Sequence, residues 1–150
     1  MKKTWILVAD SARARILLAE SAKGALRELE DLAHPEGRMH ESELTTDLPG
    51  RSFDSAGQGR HAMEQPVSPS EQEQIRFAKQ LADRLEQARE NGEYRQLILV
   101  APPAFLGYLR KELTPDVEKR VSFELDKDLA RMSAGEIRDH LPEYLPSLPD

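Results

Sequence analysis

A chain of 150 residues with 39% hydrophobic content is long enough to bury one core and too short to divide comfortably into two. Its formal charge of -6 and its pI near 5.3 argue against a dedicated nucleic-acid coat or a DNA-binding protein, whose affinity comes from counterions released by broad basic surface, so any RNA contact has to be local. With no cysteine, disulfides, thiolate catalysis and cysteine-ligated zinc are excluded.

Thr4 to Asp10 is an unbroken apolar run ended by a turn former, the pattern of a strand covered on both faces. Its core from Trp5 to Ala9 is far shorter than that of a signal peptide. No segment approaches the roughly 20 apolar residues of a membrane helix. The expectation is therefore a cytoplasmic protein without a membrane partner. Asp10 to Arg13 reads as a hairpin connection into a second strand, Ala14 to Glu20, and Leu26 to Leu32 reads as a polar edge strand.

From about residue 34 to residue 69 the chain is rich in Pro, Gly, Ser and His and carries no regular period. Connections longer than roughly 12 to 15 residues are usually functional or disordered. Ser68-Pro69-Ser70-Glu71 has the form of a helix start, with Ile75, Ala78, Leu81, Ala82, Leu85 and Ala88 as its inward stripe and Asn91-Gly92 as its left-handed stop. Leu97 to Ala101 reads as a buried parallel strand. Pro102-Pro103 then opens a helix with Leu106, Leu109 and Leu113 inward. Val121, Phe123 and Leu125 alternate with polar residues, predicting a last strand with one buried face. Ser133 to Glu136 is a capping box for a helix to about Leu141, and the Pro-rich tail 142–150 is expected to fray.

The first three strands are joined too tightly for crossovers and must run antiparallel, while each later strand follows a helix and must enter parallel. The predicted fold is one α/β domain over residues 1–141. It has a mixed five-stranded sheet, with the strand at 4 to 10 inside it, close to a ribonuclease-H-like arrangement.

Several short pieces in this order carry a family resemblance: Val8-Ala9-Asp10 with Ala14-Arg15, Gly50-Arg51-Ser52-Phe53-Asp54, Gly57-Gln58-Gly59-Arg60-His61, Ala101-Pro102-Pro103 with Phe105-Leu106 and Leu109-Arg110, and Lys127-Asp128-Leu129. The chain resembles the bacterial host attachment proteins from about Thr4 to Leu141. That family is distantly similar to the middle domain of archaeal and eukaryotic peptide-chain release factors, which carries a Gly-Gly-Gln loop between its early strands and its first long helix. Ala56-Gly57-Gln58 has the comparable position here, with Ala56 in place of the first glycine.

The resemblance implies that Gly57, Gln58 and Gly59 form a tip presenting the Gln58 amide to a tRNA 3′ end, where it positions water against the peptidyl ester. It also implies a ribosome or tRNA as partner. Arg51, Arg60 and His61 are candidates for clamping phosphates, arginine through forked hydrogen bonds. The plain alternatives are an ordinary glycine-rich loop and solvated cations. Asp10, Asp126 and Asp128, near the ends of two predicted strands, are either carboxylates gathered around magnesium for phosphodiester cleavage or turn and strand-end residues. His34, His40, His61 and His140 lack paired metal-ligand spacing, and no phosphate-loop or dinucleotide motif is present, so no cofactor is expected.

Overall fold

The computed structural model describes residues 1–33 and 69–149. The elements run β1 (Thr4–Ala9), β2 (Arg13–Ala19), β3 (Leu26–Ala33), α1 (Pro69–Glu90), β4 (Gln96–Val100), α2 (Pro103–Glu112), the single turn α3 (Pro115–Glu118), β5 (Val121–Leu125) and α4 (Ala134–Asp139). The five strands form one sheet in the order β3-β2-β1-β4-β5. β2 is antiparallel to both β1 and β3, and the pairs β1·β4 and β4·β5 are parallel. Every strand except β2 therefore points the same way.

Local chemistry explains the boundaries. Asp10 closes the first hairpin: its Oδ1 accepts from the amides of Ala12 at 2.8 Å and Arg13 at 2.9 Å, and its own amide donates to the Arg13 carbonyl. α1 ends where Gly92 takes a φ of 72°, a conformation open to glycine at little cost. α2 begins with proline in its first turn. α3 is held by Thr114, whose hydroxyl accepts from the Val117 amide, and α4 opens on the Ser133–Glu136 capping box.

β1 is buried at all six positions because both faces of the sheet are covered. Trp5, Leu7 and Ala9 face one core with Ile16, Phe77, Leu81, Leu85, Leu99 and Phe105, against α1 and α2. Ile6 and Val8 face a second core with Leu17, Ile98, Leu129, Ile137 and Leu145, under α4 and the C-terminal segment. Arg84 of α1 lies 5.3 Å from the centroid of the Trp5 ring and pairs with Glu30 of β3, locking the long helix to the sheet.

The structure corrects four expectations. The inward stripe of α1 includes Phe77 at 2% exposure, whereas Ile75 is only half-buried. α4 stops at Asp139, before Leu141. β5 does not bury one face. A register shift opposite Leu97 and Ile98 breaks its alternation, so Val121 packs against the first core while Phe123 and Leu125 pack against the second.

The fourth concerns the Pro-rich segment after Leu141, which is docked as far as Leu148. Leu145 is buried and donates its amide to Ala22, and Gln96 binds Pro146 and Leu148. The Arg138 guanidinium donates to the carbonyls of Ala22, Gly24, Pro142 and Glu143. Prolines lower the entropy that docking must remove, and the Gln96 and Arg138 side chains satisfy carbonyls that such a segment exposes.

Candidate functional site

Ala9, Ala33, Val100 and Leu125, the last residues of the codirectional strands, all stand at one edge of the sheet. Ligands of open α/β sheets bind outside the carboxyl ends of the strands. Here that edge holds a cleft of about 390 Å³. Its walls come from the β1–β2 hairpin through Asp10 and Ser11, from α1 through Gln74, from the start of α2 through Ala104 and Phe105, and from the segment after β5 through Asp128 and Arg131. Arg131 is exposed and also lines a second, shallower cleft beside β2 and β3.

In that second cleft the Arg15 guanidinium donates to both carboxylate oxygens of Glu28, at 2.9 and 2.7 Å, to the Ala130 carbonyl at 3.0 Å and to the Met132 carbonyl. The forked bond holds the Glu28 carboxyl below its ordinary pKa and raises that of Arg15. Arg15 thus fixes the 130–132 turn to the sheet and so positions Arg131 at the mouth of the carboxyl-edge cleft. Outside the clefts the Tyr108 hydroxyl donates to Glu71 at 2.7 Å, joining α2 to the first turn of α1, and this bond raises the tyrosine pKa.

The structure brings Asp10 and Asp128 to the same cleft but leaves Asp126 off its walls, beside Arg110. Asp10 is occupied by the hairpin amides, as the turn reading expects. Among the described residues no group of three His, Asp or Glu side chains stands close enough to share a metal ion. His140 caps the end of α4. Gly57, Gln58, Gly59, Arg51, Arg60 and His61 lie outside the described residues, as do His34 and His40. The described ends of the segment that contains them, Ala33 and the start of α1, both belong to the carboxyl edge. Gln74 and Arg131 are cleft residues that sequence reasoning missed. Arg131 follows the short apolar pair Leu129-Ala130, whereas nothing in the sequence around Gln74 marks it.

The chain is thus an open-sheet α/β protein with a cleft at the carboxyl edge. Residues 5–141 match the family described as proteins required for attachment to host cells, and the chain belongs to that family. No curated protein matches it in sequence. A solved structure named as an archaeal protein is 13% identical over 83% of this chain, with a TM-score of 0.43; the match spans 30% of that structure's length. Among the described residues no helix is long and apolar enough to cross a membrane.

Proposed function

We propose that this host attachment family protein acts in the cytoplasm as a ribosome- or tRNA-associated module of translation quality control or rescue, with a ribonuclease-H-like sheet related to the release-factor middle domain. One observation carries the reading: the segment that contains Gln58 leaves the sheet at Ala33 and rejoins it at α1, both at the edge where open α/β sheets take their ligands. The order β3-β2-β1-β4-β5, with β2 alone reversed, supports the same lineage. In this proposal Arg51, Arg60 and His61 grip phosphates, and Gln58 between Gly57 and Gly59 positions water for ester hydrolysis of peptidyl-tRNA. Cosedimentation with ribosomes at low salt, followed by a peptide-release assay, tests it. A protein that neither binds ribosomes nor releases peptide leaves the second reading, a non-catalytic interaction protein that influences attachment indirectly. The net charge of -6 favours that second reading over general RNA binding. A third reading, a metal-dependent nuclease, draws only on the shared cleft of Asp10 and Asp128, and magnesium-dependent RNA cleavage would promote it.

A further inference from the structure

The two edges of the sheet are built differently. β3 presents Arg27, Glu28, Glu30 and Asp31 along its length, a charged edge that resists pairing with another strand. β5, Val-Ser-Phe-Glu-Leu, has one charge, and that charge is engaged within the chain: Glu124 accepts from Arg110 Nε at 2.8 Å and from the same guanidinium's Nη2. All five β5 residues are half-buried, and among the described residues no strand pairs with its outer side.

We infer that this edge pairs antiparallel with β5 of a second copy of the chain, centred on Glu124, joining two sheets into one of ten strands. The register follows from which groups point outward. The Leu125 carbonyl accepts from the Ala101 amide and so faces β4. Strand geometry then turns the neighbouring Glu124 amide and carbonyl away from β4, ready to exchange both bonds with the same residue of the copy. That centre sets Phe123 opposite the partner's Leu125. Both are half-exposed on the face of the second core, so pairing covers an apolar row that the monomer leaves partly wet.

Charge fits the same centre. The strand is preceded by the basic Lys119-Arg120 and followed directly by the acidic Asp126, so antiparallel pairing lays the basic start of one copy beside the acidic end of the other. Parallel pairing would stack like charges. The two Glu124 side chains meet on the opposite face, each already paired to its own Arg110, which makes a ring of alternating charge rather than a repulsive contact.

Light scattering on the purified chain, from micromolar to millimolar concentration, tests the pairing. The expected species has about 34 kDa, twice the 17.0 kDa of the chain. Glu124→Pro removes an amide that the β4 ladder does not use and should return the mass to that of the monomer, while Glu124→Gln, which keeps the amide, should remain dimeric. A wild type that stays monomeric at millimolar concentration, or a folded Glu124→Pro protein that stays dimeric, overturns the inference. If Glu124→Pro fails to fold, amide exchange at Glu124 in the wild type decides: it should slow as concentration rises, and a rate independent of concentration overturns the inference.

Discussion

The side-chain amide of Gln96 donates to the Thr4 hydroxyl oxygen at 2.9 Å, joining β4 to β1 at a fully buried pair directly opposite in the parallel register. The same Gln96 donates to the Pro146 carbonyl and accepts from the Leu148 amide, so one buried amide binds the sheet to the C-terminal segment. Replacing Gln96 by Ala leaves the Thr4 hydroxyl and two backbone groups short of partners. The expected loss is about 1 to 3 kcal/mol, read by urea unfolding, together with faster exchange of the Leu148 amide. Unchanged exchange there would show that the segment is held without Gln96.

Leu7 and Ile98 sit on opposite faces of the sheet, exposed by 1% and 0%, and each fills the centre of its own core. Leu7→Ala and Ile98→Ala should each destabilise the fold by about 2 to 5 kcal/mol through lost burial and the cavity left behind. Their effects should add in the double variant, because the intervening sheet separates the two cavities. Chemical denaturation of the three variants measures both points.

This much of the fold is legible in the sequence because burial on both faces writes itself as continuous apolar runs, at Trp5 to Ala9 and at Leu97 to Ala101, and turn chemistry writes itself in single residues such as Asp10 and Gly92. β5 misleads because its bulge, which moves Phe123 to the other face from Val121, depends on how the strand meets β4 rather than on its own alternation. The docked tail misleads for a similar reason: its partners Gln96 and Arg138 are distant in sequence, and a buried glutamine looks like any surface glutamine until its bonds are seen. The cleft is half legible. Asp10 and Asp128 follow strands that can be recognised, whereas Gln74 reaches it by the packing angle of α1 and Arg131 by the grip of Arg15 on the 130–132 turn.

The Arg15–Glu28 pair predicts a small acid-side dependence of stability. The folded-state pKa of Glu28 lies below its unfolded value, so its contribution is complete above the unfolded carboxylate range and is lost as pH falls through the folded pKa. Glu28 is 43% exposed, which screens the pair and limits the effect to about 1 kcal/mol or less. Glu28→Gln should flatten that part of the pH–stability curve. Arg15→Ala should cost more than Glu28→Gln, because it also strands the Ala130 and Met132 carbonyls and releases the turn that carries Arg131. Equal losses in thermal melts would show that those carbonyl bonds contribute little.

The chemical role proposed for Gln58 separates from binding. If its amide positions the attacking water, Gln58→Ala should lower peptide release from peptidyl-tRNA by about a hundredfold or more, the usual cost of removing one preorganised donor, while ribosome cosedimentation is unchanged. Arg51→Ala with Arg60→Ala should do the reverse. Binding should weaken and its dependence on salt should flatten by about 0.7 to 0.9 in log–log slope for each phosphate no longer neutralised, since each neutralised phosphate releases its own share of counterion. Release measured at saturating protein should then recover in the arginine variant and not in Gln58→Ala. Failure of Gln58→Ala to bind would reduce the residue to a docking group, and the non-catalytic interaction reading would then describe the protein better.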